Sequence, residues 1–133
     1  MNENFNRARK VCDAAFEIAQ TMNVNVSIVA VDPGGHPVVV LRGDRTSFAS
    51  VEAARRKAVA AFTMQMPTGA LAEMIAQDPL VQRAVHASGD MLVVPGGFPI
   101  GSGDGCIGGL GIAGGHYSQD HTVGEKALAA VAK

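Results

Sequence analysis

GGFPIGSGDGCIGGLGIAGGHYSQD, residues Gly96 to Asp120, decides the fold of this chain. It holds ten of the sixteen glycines. Glycine in a regular element costs about 0.5–1 kcal/mol relative to alanine. A chain that concentrates it here needs tight turns, close backbone approach or room for a ligand. Cys106 to Ala113 reads as an apolar strand, and Phe98-Pro99-Ile100 as a short strand at a sheet edge, where proline is tolerated. Gly101 to Gly105 turns the chain between them. Ser118 is the expected cap of a last helix running to about Ala132, with Val123, Ala127, Leu128 and Val131 inward.

Working back, Met91–Val94 is a further expected strand. Asp78-Pro79 is a helix start, a cap residue followed by proline at the first helical position. It follows another short helical stretch that Thr68 can cap. Phe48–Met64 forms a helix with Val51, Ala54, Ala58 and Ala61 on its buried side, capped by Thr46 or Ser47. Val24–Val31 and Pro37–Leu41 form a hairpin across Asp32-Pro33-Gly34-Gly35, where proline presets the turn and the glycines accept positive φ. Residues 3–22 carry an apolar stripe, Phe5, Ala8, Cys12, Ala15, Ala19 and Met22, with Asn23 as the stop. The order is α-β-β-α-α-β-β-β-α. The fold class is α/β of the α+β kind: a single antiparallel sheet of about five strands flanked by helices, with residues 1–133 as one domain.

Eleven Lys and Arg against twelve Asp and Glu leave a formal charge of −1. With no basic stripe, no tryptophan and no aromatic series, no nucleic-acid partner is expected. Arg55-Arg56-Lys57 is the strongest basic cluster, which on a helix reads as a solvated face. No apolar run is long enough to span a membrane. The N-terminal MNENFNRARK lacks a signal core, so a cytoplasmic protein is expected. Cys12 and Cys106 form no CxxC and read as buried small hydrophobes.

No stretch matches a phosphate-binding GxxxxGK[ST], and GLGIAG lacks the strand–helix setting of a dinucleotide loop. No nucleophile–base–acid set is legible, and the histidines lack zinc spacing, so no metal site is expected. The candidates that remain are His36 after the Gly-Gly turn, His116 and Asp120 around the last helix start, and Gly114 and Gly115. The N–H groups of those two glycines could receive an anion.

Four blocks together carry a resemblance: VSIVAVDPGGHPVVVLRGD (26–44), SVEAARRKAVAAFTMQMPT (50–68), GGFPI (96–100) and IGGLGIAGGHYSQDHTVGEKAL (107–128). In this order and spacing the chain resembles the GlcG/HbpS-like family (haem-degrading, or domain of unknown function 336), related to the C-terminal domain of PduO-type adenosyltransferases. The resemblance implies a homo-oligomer, dimer or higher, that binds a small-molecule ligand in a pocket shared between subunits. Haem is the candidate cofactor, held without covalent attachment, since there is no CxxCH. His36 is then the first candidate ligand and His116 the second, with Lys57, Gly114 and Gly115 lining the site. Two alternatives stay open. One is an enzyme for a small oxygenated metabolite or carboxylate, with Asp120 or His116 moving a proton and Lys57 holding negative charge. The other is an accessory subunit of a glycerol, diol or glycolate pathway. The chain departs from the family pattern after Gln119-Asp120, where an acidic residue is common and His121 stands here.

Overall fold

The computed structural model describes residues 1–132. Its elements are α1 (Glu3–Thr21), β1 (Ser27–Val31), β2 (Pro37–Arg42), α2 (Ala49–Met64), α3 (Thr68–Ile75), α4 (Pro79–Ala87), β3 (Gly97–Ile100), β4 (Gly108–Ala113) and α5 (Tyr117–Val131), with a 3-10 turn at Gly103–Gly105. The four strands lie in the order β2-β1-β4-β3, every neighbouring pair antiparallel. The α+β class with one antiparallel sheet between helices is therefore the observed one.

The expected strand at Met91–Val94 is not formed. The backbone groups of this segment go to helices rather than to a ladder: Leu92 N–H donates to the Arg56 carbonyl at 3.2 Å, and the Val94 carbonyl accepts from Thr68 Oγ1 at 2.7 Å. β3 thus stays an edge strand, with its Pro99, and the sheet has four strands among the described residues, not about five. The remaining strands are trimmed: β1 begins at Ser27 rather than Val24, and β4 at Gly108 rather than Cys106.

Strand alternation divides the core. Ile28, Ala30, Leu110 and Ile112 face α1 and α5, meeting Ala8, Val11, Cys12, Ala15 and Val123. Each fully buried Ile or Leu here contributes about 1.5–3 kcal/mol. Val29 and Val31 face the other way, against Ala54 and Ala58 of α2. Both faces of β1 are therefore covered, which explains its impure apolar–polar alternation. Alanine on the helix and glycine on the strand let α2 lie directly on β4: a Cβ at Gly109 would strike the Ala58 carbonyl, and one at Gly111 the Ala54 carbonyl.

Local signals met mixed outcomes. Asn23 ends α1 in the left-handed region at φ 57°. Asp32 organises the hairpin turn by accepting from the N–H groups of Gly34 and His36, but only Gly35 takes positive φ. Asp78 caps α4 through Val81 N–H. Neither Thr46 nor Ser47 caps α2 with its side chain; Thr46 Oγ1 donates back to the Gly43 carbonyl instead. Thr68 is the first residue of α3 rather than its cap, and its hydroxyl turns to the 94–97 backbone. Cys12 is fully buried, as expected, and burial pushes its thiol up to about 12. Cys106 is only half-buried, because the 3-10 turn holds it outside β4; both cysteines are free. Among the described residues no helix is long and apolar enough to cross a membrane.

Candidate functional site

Three consecutive basic residues on α2 point in different directions, since each step turns the helix by about 100°. Arg55 and Arg56 stay outside and pair with Glu52 at 2.6 and 3.4 Å. Lys57 does not belong to a solvated face. It is 3% exposed and directed inward. Its Nζ donates to the Ile112 carbonyl at 2.9 Å and to Asp120 Oδ2 at 3.2 Å. Asp120, 1% exposed, accepts at Oδ1 from Gly115 N–H at 3.0 Å. Burial pushes the Lys57 amine below the ordinary lysine value, with Asp120 pulling it back. Burial also raises the Asp120 carboxyl, against the opposing pull of Lys57, Gly115 N–H and His116.

This buried pair fastens α2 to the start of α5. The Pro95-Gly96-Gly97 corner closes over it, and Gly96 has no room for a side chain: a Cβ would sit 2.9 Å from Lys57 Nζ and 2.6 Å from the Ile112 carbonyl, at φ +129°. The Gly115 N–H that the sequence offers to an outside anion is thus filled by the chain's own carboxylate. Gly114, at φ +129°, makes the bend into α5.

The cap of α5 is His116, not Ser118. His116 Nδ1 accepts from Ser118 N–H at 3.2 Å, and Gln119 Oε1 accepts from His116 N–H at 3.0 Å, a reciprocal capping box. The sequence signal was the Gln three positions on; histidine is absent from the usual cap residues, so Ser118 draws the assignment instead. The same Nδ1 lies 2.8 Å from Ser118 Oγ. The ring lies 4.2 Å from that of Tyr117.

His36 does not join this corner within one chain. Along the β1–β4 ladder Val31 pairs with Gly109 and Ser27 with Ala113. The turn bearing His36 follows Val31, and the bend into α5 follows Ala113, so they lie at opposite ends. Five strand residues separate those ends by about 16 Å. His36 is exposed there. Lys57, Gly114, Gly115, His116 and Asp120 do come together.

Outside the Pro95 corner opens a cleft of about 850 Å³ between α3 and the first turns of α5. Gly69, Ala70 and Ala72 form one wall, Val93–Pro95 the floor, and Tyr117 and His121 the other wall. Thr68 holds the floor in place, accepting from Gly97 N–H at 2.8 Å while donating to Val94. The His121 ring stands 5.2 Å from that of Phe98, its Nδ1 is buried without a hydrogen-bond partner, and its Nε2 lies 3.7 Å from the Glu125 carboxylate. Sequence reasoning misses this cleft. The only trace is the run of small residues on α3, Gly69, Ala70, Ala72 and Ala76, which also suits ordinary helix packing.

The fold and this corner define an α+β protein with one four-stranded antiparallel sheet, a buried Lys–Asp clasp and a recess of ligand size. The chain belongs to the HbpS-like family: the family model described as haem degrading protein HbpS-like matches residues 4–129. Among solved structures, a double mutant of HbpS from Streptomyces reticuli is 32% identical with a TM-score of 0.84, covering 97% of this chain and 86% of that one. A complex of PduOC with haem is 31% identical with a TM-score of 0.84, covering 95% of this chain and 92% of that one. The corrinoid adenosyltransferase PduO of Salmonella typhimurium is 31% identical over 129 residues, 96% of this chain and 38% of that protein. The chain therefore spans under two fifths of that relative's length.

Proposed function

We propose that this chain is a small-ligand-binding protein that takes haem non-covalently in the cleft between α3 and α5. The observation that carries the reading is the cleft itself. Its volume of about 850 Å³ lies within the range of cofactor pockets, its lining is mainly apolar, and an orphaned imidazole nitrogen, His121 Nδ1, stands in its wall. These features fit a flat tetrapyrrole. When bound, the group would supply redox or oxygen chemistry of its own. The chain supplies a wide, mainly apolar cleft, the Tyr117–His116 aromatic edge beside it, and the floor held by Thr68. The membership in a family described by haem degradation, and the likeness to a PduOC–haem complex, support the choice of ligand.

Lys57, Gly115 and Asp120 act in this reading as the frame of the site rather than as ligand contacts, since their polar atoms are committed to one another. Asp120 as a catalytic base finds little support for the same reason. His36 reaches a ligand only if a second copy of the chain brings it there, which suits a homo-oligomeric, cytoplasmic protein with a site at the subunit boundary. A role beside enzymes of a glycerol, diol or glycolate pathway is compatible with the PduO match; co-purification with such an enzyme would test it. Haemin titration followed by optical spectroscopy tests the main reading: it requires a saturable Soret shift at one haem per subunit, and a non-saturating signal refutes it.

A further inference from the structure

We infer that His121 is the imidazole that meets the haem iron in the α3–α5 cleft, in place of the more conspicuous His36 and His116. This rests on the reading of the cleft as a haem site, and names the residue within it.

The three histidine rings are committed differently. His116 is committed to the start of α5: its Nδ1 accepts the Ser118 N–H that caps the helix and lies 2.8 Å from Ser118 Oγ. His36 is exposed at the far end of the β1–β4 ladder from the cleft. His121 lies in the cleft wall and has no hydrogen bond at either nitrogen: Nδ1 is buried without a partner, and Nε2 is 3.7 Å from Glu125, beyond hydrogen-bond length. An unsatisfied buried polar atom is unfavourable, and it persists in native proteins mostly where a ligand or water completes it.

The ring is partly sunk into the wall. Opposite Nδ1 stands Gly69, where even a Cβ would come within 3.4 Å. The ring rests beside Phe98 and is one third exposed. No lysine or arginine lines the cleft, so the carboxylates of a bound haem stay at its open side, in solvent.

The test is haemin titration of the whole chain with optical and electron paramagnetic resonance readouts, on the natural protein, His121→Ala, His36→Ala, His116→Asn and Ala70→Trp. Asn at 116 keeps a capping side chain. Trp at 70 fills the cleft from an exposed helical position and leaves every histidine of the sequence in place. The expected result is saturable binding with a nitrogen-ligated iron signature, at least tenfold weaker binding and loss of that signature in His121→Ala, weaker binding in Ala70→Trp, and the signature kept in His36→Ala and His116→Asn. Saturable binding with an unchanged signature in His121→Ala overturns the assignment while leaving the haem reading standing. No saturable binding in the natural protein removes both. If His121→Ala does not fold, Ala70→Trp decides: unchanged binding there overturns the assignment.

Discussion

Replacing Lys57 by methionine keeps the length of the side chain and removes its charge. The consequence follows from three observations: the Lys57–Asp120 separation of 3.2 Å, exposures of 3% and 1%, and a single other hydrogen bond to the carboxylate, from Gly115. At an effective dielectric of 20, two charges at this separation attract by on the order of 5 kcal/mol. Their joint desolvation offsets most of that, so the pair adds little net stability. Deleting one member leaves the other's desolvation uncompensated. The Asp120 carboxyl, already raised by burial, then takes a proton, which limits the loss. The expected destabilisation is about 3–5 kcal/mol, equivalent to a fall in Tm of about 11–18 °C for a chain of this size. Asp120→Asn, which retains an acceptor for Gly115, should be costly for the reciprocal reason. The double variant Lys57→Met, Asp120→Asn buries no charge and should recover at least about 2 kcal/mol relative to the sum of the singles. Urea denaturation at pH 7 measures all four proteins. Singles that each cost under about 1 kcal/mol, or that simply add in the double, would refute the buried clasp.

The cap and the buried thiol give two further predictions. His116→Ala should lower stability by about 1 kcal/mol through loss of the α5 cap, and His116→Asn should restore most of it; equal melting of the two would mean the ring does not cap. For Cys12, whose thiol burial raises from 9.0 to about 12, the stabilising preference for the protonated form is complete below pH 9 and lost as pH rises toward 12. Stability measured between pH 9 and 11 should fall by about 1.4 kcal/mol per pH unit more steeply in the natural protein than in Cys12→Ala, and parallel slopes would show that the thiol is not shielded.

Local patterns were legible where neighbours in sequence are neighbours in space. The α1 stripe, the Asp32–Gly35 turn, the Asp78-Pro79 start and the glycine-rich β4 all express interactions within a few residues. Lys57 was not legible. Its partner lies 63 positions away, and beside Arg55 and Arg56 it looks like part of a wet surface. Met91–Val94 has the composition of a strand, but strand formation needs a ladder partner, and the carbonyl of Arg56 and the hydroxyl of Thr68 claim its backbone first. The α5 corner was half legible: Gly114, Gly115, His116 and Asp120 belong together as the sequence groups them, yet it could not reveal that Asp120 fills the Gly115 N–H. His121 and its cleft depend on how α3 folds back toward α5, which no spacing within either helix encodes.

The seating of α2 on β4 has a bearing on how this sequence can drift over generations. Where two side chains meet, a larger residue can be offset by a smaller one across the contact. Between Ala54 and Gly111, and between Ala58 and Gly109, the parts that touch are peptide planes, which no substitution can shrink. Neither glycine can be exchanged for a larger residue and then compensated from the other side, because the obstacle is a carbonyl rather than a side chain. Variation on the outer surface of α2 is unconstrained by this, while the seam beneath it can change only if the helix itself moves away, carrying Lys57 out of reach of Asp120.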